Sequence, residues 1–257
     1  MFRAVIFDIE GVLQFQGEVY PGAIELVALL RQKGVAVRFL TNSTLHSRRS
    51  YAEKLRSKGF SVYDEEVVTA SFATAQFLKS LQPRSCWVML KGKGLEEFRG
   101  LPQDTNDPEY IALGDLREDF NSQNLNKALR LLYKGAKLIV MIPEKVDNSL
   151  GELELTVGAY GRMLEDAAGI KATYIGKPSR YIFDLVLDTL KDIERREILM
   201  VGDKVETDIL GAREAGLGSA LVKTGDFRER DLRSAIAPDY IFDSVREVGR
   251  LFPQKLF

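Results

Sequence analysis

Four side chains that phosphoryl chemistry uses stand directly after short apolar runs in this chain. Asp8 follows AVIF, Thr41 follows VRFL, Lys177 follows ATYIG and Asp203 follows ILMVG. A carboxylate can attack phosphorus, a hydroxyl and an ammonium can hold phosphoryl oxygens, and a second carboxylate can hold a divalent cation. Each residue also has a plainer reading. Asp8, in DIEGVL, could cap the turn that Gly11 permits. Thr41 and Asn42 open TNST, where hydroxyl and backbone N–H groups suit phosphate oxygens, but the segment could equally cap the next helix. Lys177, before Pro178, could be an ordinary solvated turn lysine. The stretch GDKVETD, residues 202–208, is the most specific of the four signals. It follows a strand-like run and opens a helix, so Asp203 could reach a cation while Asp208 fixes bound water or Lys177.

These residues meet only if the elements carrying them are arranged to bring them together. Short apolar runs alternating with helical periodicity predict buried strands of a parallel sheet, and such sheets bind ligands beyond the carboxyl ends of their strands. The pattern predicts strands at 3–7 and 35–40, with an irregular excursion over 11–22. Helices are predicted at 22–33, 47–58 and about 71–81. From Ser85 the alternation restarts: CWVML, YIAL and KLIVMI read as strands, Asn121–Tyr133 and Val157–Gly169 as helices. Through the strand TYIG the chain then returns to the first sheet, followed by a helix at 179–191, a strand at 198–201 and a helix at 207–215. A strand at 219–222 and a helix near 243–252 complete it. The expected architecture is α/β: a parallel-sheet core from residues 1–75 and 173–257, with a second α/β domain, 76–172, inserted. The GKG at 92–94 lacks the spacing of a phosphate-binding loop and reads as a turn, and Trp87 reads as core.

Composition narrows the chemistry. The 257 residues carry a net charge of −1, so nothing in the overall charge favours a nucleic-acid partner. No apolar stretch is long enough to span a bilayer, and residues 1–7 run straight into a strand, leaving no room for a signal peptide. A cytoplasmic protein is the expectation. One histidine, His46, and one cysteine, Cys86, make histidine triads, multi-thiol metal sites and an internal disulfide poor candidates. Any metal must sit among oxygens, which favours Mg²⁺.

Taken in order, Asp-x-x-Gly, the Thr41 strand end, Lys177-Pro178 and Gly-Asp-x-x-x-Thr-Asp resemble the motif set of the haloacid dehalogenase superfamily. The insert resembles its C2-type cap, as in NagD-like and nitrophenylphosphatase-like phosphatases. VRFLTNST, VGAYGRMLEDAAGIKATYIGKPS and LVKTGDFR are most similar to the phospholysine phosphohistidine inorganic pyrophosphate phosphatase branch. The resemblance implies a Rossmann-like core and a Mg²⁺-dependent phosphatase for small phosphorylated metabolites. By the same likeness Asp8 would form an aspartyl phosphate, while Thr41, Asn42 and Lys177 would bind the substrate. Asp8, the Glu10 carbonyl and Asp203 would ligate Mg²⁺, with Asp208 in support. The resemblance also implies a cap that closes over the site, and dimers among capped relatives make a homodimer a further expectation. Within the loop 144–151 it makes Lys145, Asp147 and Asn148 candidates for specificity.

One departure stands out. Glu10 occupies the position two residues after the nucleophile, where the superfamily usually has an aspartate as general acid/base. The carboxyl is kept, but the side chain is a methylene longer, and a misplacement of ~1 Å can cost on the order of 100-fold in rate. If the extra methylene misplaces it, Glu10→Asp is expected to raise turnover. The alternative readings are a phosphate-ligand binding or regulatory protein with weak turnover, and a phosphotransferase on the same scaffold.

Overall fold

The computed structural model describes residues 2–148 and 151–252. Its contacts divide the chain into two units: Met1–Thr41, Tyr51–Val68 and Lys177–Phe257 form one, Asn42–Ser50 and Thr69–Gly176 the other.

The first unit is built on a six-stranded sheet. Across it the strands run Tyr240–Phe242, Gly218–Val222, Ile198–Gly202, Ala4–Phe7, Ala36–Thr41 and Val67–Thr69. From Ala36–Thr41 to Tyr240–Phe242 every neighbouring pair is parallel. Ala4–Phe7 is buried throughout, as a central strand covered on both faces must be. The order of strands along the chain reverses there: the next strands lie to one side, and those after Lys177 to the other. Such a reversal opens a crevice at the carboxyl ends. Register fixes what faces it. Phe7 lies opposite both Val201 and Phe39, so Asp8, Leu40 and Gly202 share a level and Asp203 follows one residue later.

Helix Ala23–Gln32 covers the sheet with Ala23, Leu26, Val27 and Leu30, a helical-period stripe, and starts from Gly22 at φ 85°. Phe7, Phe39, Tyr51 and Leu55 join the same core. The helix predicted at 47–58 forms over Arg48–Ser57. Within the predicted excursion lies a small antiparallel hairpin, Gln14–Phe15 with Glu18–Val19.

The second unit has a four-stranded parallel sheet, ordered Thr173–Tyr174, Lys137–Val140, Tyr110–Leu113 and Cys86–Met89. Helices Ala70–Leu81, Ser122–Tyr133 and Val157–Ala168 accompany it. Asn121 caps the second, its side chain accepting from Asn124 N at 3.0 Å, and Gly169 ends the third in the left-handed conformation. Gly92 and Gly94 open a 3₁₀ turn rather than a phosphate loop. Trp87 is half-buried, with Lys127 Nζ 4.9 Å from its ring centroid, so it is not the core residue expected. In the loop 144–151, Lys145 is exposed and Asp147 pairs in a short hairpin strand, while Ser149 and Leu150 lie outside the described residues.

One expected strand belongs elsewhere. TYIG does not rejoin the first sheet: Thr173–Tyr174 pairs with Lys137–Val140, and Ile175 and Gly176 donate to Val140 O and Met141 O. The apolar strand at 137–140 offers this segment a parallel edge to pair with. Lys177 is thus the first residue after the second unit, not the end of a core strand. The helix predicted at 207–215 begins instead as a π-turn, Val205–Ile209, before Leu210–Ala215.

Candidate active site

Asp8 is placed by the sheet itself: its N–H donates to Val201 O at 2.9 Å, extending the central ladder by one residue. Its Oδ1 accepts from Ile9 N at 2.7 Å and lies 2.8 Å from Lys177 Nζ. Lys177, 2% exposed, also meets Asp208 Oδ1 at 2.6 Å and stands 3.5 Å from Leu40 O. The ammonium therefore has two carboxylates and a carbonyl around it, all buried. Asp208 Oδ2 accepts from Lys204 N at 3.1 Å, which ties the GDKVETD turn back on itself. Gly202 makes room for this, since a Cβ there would come within 2.2 Å of Asp208 Cβ.

Asp203 is 1% exposed. Its Oδ2 accepts from Asp226 N at 2.7 Å, while Oδ1 is buried without a hydrogen-bond partner. Burying an unpaired carboxylate oxygen is costly unless something else meets it. Two glycines crowd the same carboxylate: a Cβ on Gly11 would lie 2.0 Å from Oδ2, and one on Gly225 2.3 Å away. Thr224 Oγ1 donates to Gly11 O at 2.5 Å and Gly225 N to the Tyr20 hydroxyl at 3.0 Å, locking the two loops together.

Carboxylate oxygens of Asp8, Asp203 and Asp208 lie within 4.8 Å of one another. Burial pushes the Asp8 carboxyl up to about 7; the Asp208 charge adds to this, and Lys177 opposes it. Asp203 is raised well above the usual carboxylate range, first by burial and then by the charges of Asp8 and Asp208. Lys177 keeps its proton: burial works against the ammonium, but Asp208 and Asp8 outweigh it. Three buried carboxyl groups beside one buried ammonium would carry an excess of negative charge once ionised, so burial and this repulsion hold the protons on Asp8 and Asp203. With the orphaned Asp203 oxygen and an all-oxygen donor set, the cluster fits a hard divalent cation such as Mg²⁺.

Of the residues singled out from sequence, Asp8, Lys177, Asp203 and Asp208 thus come together. Thr41, buried at the end of its strand, hydrogen-bonds the hydroxyl of Tyr51. The Glu10 carboxylate is not part of the acidic cluster. Its Oε1 accepts from Gln14 Nε2 at 2.7 Å and from the Tyr51 hydroxyl at 2.8 Å, with Lys54 Nζ at 3.6 Å. Asn42 groups with the second unit, where its Nδ2 donates to Glu144 Oε1 at 2.7 Å. His46 belongs there too, its Nδ1 3.4 Å from Ser50 Oγ.

Sequence reasoning missed Tyr51, Gln14 and the Thr224–Asp226 loop. TGDF, residues 224–227, carried a turn signal for that loop, but no local pattern links Tyr51 to Glu10.

A family model described as haloacid dehalogenase-like hydrolase matches residues 5–101, and one described as HAD-hydrolase-like matches 174–248. The chain is 34% identical over 241 residues to human haloacid dehalogenase-like hydrolase domain-containing protein 2, covering 93% of this chain and 91% of that protein. It is also 34% identical over 238 residues to the Xenopus laevis phospholysine phosphohistidine inorganic pyrophosphate phosphatase, covering 89% and 86%. Among solved structures, 4-nitrophenylphosphatase from Thermotoga maritima superposes with TM-score 0.89 at 28% identity, over 97% of both chains. NagD from E. coli K-12 gives 0.86 at 29%, over 96% of this chain and 98% of that one. With an acidic cluster at the switch point of its parallel sheet and similarity over nearly its whole length, the chain belongs to the haloacid dehalogenase-like hydrolases.

Proposed function

We propose that this protein is a Mg²⁺-dependent phosphatase of small phosphorylated molecules, working through an aspartyl phosphate on Asp8. The observation that carries the reading is the buried Asp8–Lys177–Asp208 cluster, with contacts of 2.8 and 2.6 Å, beside an Asp203 whose Oδ1 has no partner. Relatives named as phosphatases support the reaction class.

A carboxylate oxygen of Asp8 attacks phosphorus, and the bond from phosphorus to the leaving oxygen breaks. Glu10 gives that oxygen its proton. Water then attacks phosphorus of the acyl phosphate, Glu10 takes the water proton, and phosphate and the free Asp8 carboxylate are regenerated. Lys177 and the Thr41 hydroxyl hold the phosphoryl oxygens, and Asn42 is assigned to the substrate side. Asp8, Asp203 and the Glu10 carbonyl would hold Mg²⁺, with Asp208 keeping Lys177 in place. When bound, the ion would neutralise charge on these carboxylates and on the transferring group.

The binding-only alternative is not favoured. It drew on the longer Glu10 side chain, yet that side chain is held by two short hydrogen bonds.

Hydrolysis of 4-nitrophenyl phosphate with Mg²⁺ tests the proposal. Asp8→Asn is expected to lower kcat by about 1,000-fold or more, since it removes the covalent step. Turnover equal to that of the wild type would overturn it.

A further inference from the structure

Glu10 is gripped by one of its two carboxylate oxygens. Oε1 accepts from Gln14 Nε2 at 2.7 Å and from the Tyr51 hydroxyl at 2.8 Å, and Lys54 Nζ lies 3.6 Å from the same atom. Among the described residues, no hydrogen bond reaches Oε2.

Both donors are fixed before any ligand arrives. Gln14 is fully buried, and the turn sets its backbone, with Gly11 N donating to Gln14 O at 2.7 Å and Gln14 N to Ile9 O at 3.1 Å. Tyr51 is 1% exposed in the packed core, and Thr41 hydrogen-bonds its hydroxyl. A rigid phenol therefore joins the phosphoryl-binding strand end to the acid/base carboxylate. A shorter aspartate at position 10 would fall about one methylene short of these donors.

We propose that Tyr51 and Gln14 are positioning residues that clamp Glu10 through Oε1, so that Oε2 is the oxygen presented to the reacting atoms. The extra methylene of Glu10 is then the length that lets it reach the clamp. This rests on the assignment of Glu10 as proton donor and acceptor, and the experiment separates the two.

The test is a pair of double-variant cycles on the full chain. With 4-nitrophenyl phosphate and Mg²⁺, Tyr51→Phe is expected to lower kcat about tenfold with KM little changed. In a Glu10→Gln background the same change should cost much less than tenfold, because most of the effect of Tyr51 passes through Glu10, and the remainder reports its contact with Thr41. Gln14→Met should repeat the pattern, and Glu10→Asp should lose turnover rather than gain it. Equal losses from Tyr51→Phe in both backgrounds, or a gain from Glu10→Asp, would overturn the proposed use of the clamp. Thermal unfolding gives an arm that needs no activity. Tyr51→Phe and Glu10→Gln should each lower the midpoint, and the double variant should fall by less than their sum. Strictly additive shifts would remove the clamp. If Asp8→Asn keeps wild-type turnover, the phosphatase assignment fails, and the unfolding cycle alone then decides whether Tyr51 holds Glu10.

Discussion

At the scale of single residues, the site depends as much on what is missing as on what is charged. Gly11 has φ 84°, a left-handed conformation, and a methyl group there would lie 2.0 Å from Asp203 Oδ2. Gly225, at φ 62°, approaches the same oxygen from the other loop. Asp203 is thus packed between two backbones, so its Oδ1 has little freedom to find another partner. Gly11→Ala combines backbone strain with a direct clash and should cost about 2 kcal/mol or more in urea unfolding. It should also weaken the midpoint shift expected of the wild-type protein on adding Mg²⁺. An alanine variant with wild-type stability and cation response would show that Asp203 is not held in this way.

At the scale of elements, the lysine reaches the cluster by an unexpected route. It is not carried on a core strand; it follows Gly176, whose N–H is tied to Met141 O in the second sheet. The segment after it becomes helix Arg180–Leu187, with Ile182, Phe183, Val186 and Leu187 buried. That helix is seated against Leu210–Ala215 through Gly211, where a Cβ would come within 2.2 Å of Phe183 Cε2. The close approach of these two helices places both Lys177 and Asp208 at their starts. Gly211→Ala should therefore destabilise the protein by about 1–3 kcal/mol, the usual cost of overpacking. Because the shift falls on the elements that carry Lys177 and Asp208, kcat should drop more than KM rises. An unchanged urea midpoint would show that the helices can part without penalty.

At the scale of the whole molecule, the buried acidic cluster is expected to make stability depend on pH and, where a divalent cation binds it, on that cation. Folding raises the Asp8 carboxyl from 3.8 to about 7, and raises Asp203 as well. The folded, cation-free protein therefore holds protons that the unfolded chain has released. The stability that Asp8 contributes is complete below about pH 4 and is lost as pH rises through about 7, and Asp203 acts in the same direction. A bound divalent cation favours the ionised carboxylates, so its stabilisation should grow over the same interval. The rise in thermal midpoint on adding Mg²⁺ is expected to be larger at about pH 8 than at about pH 5.5. Equal shifts at both values would mean that the cation does not bind at these carboxylates. No helix among the described residues is long and apolar enough to cross a membrane.

The sequence by itself determined the alternation of strand and helix, the second sheet from Ser85 onward, and four of the side chains in the buried cluster. For Asp8 and Asp203 it could do so because apolar runs followed by a polar residue record strand ends locally, and strand ends of a parallel sheet share one edge. Lys177, which follows a strand of the second sheet, and Asp208, in the turn after Asp203, were carried by their motifs. Only the tertiary structure decided where Thr173–Tyr174 pairs, since a two-residue strand fits either edge by composition alone. It also decided that Tyr51 meets Glu10 across 41 positions, a contact that depends on how one helix packs and leaves no periodic trace. The orphaned oxygen of Asp203 arises in the same way. Burial and partnering are set by what folds around a side chain, not by its neighbours in the chain.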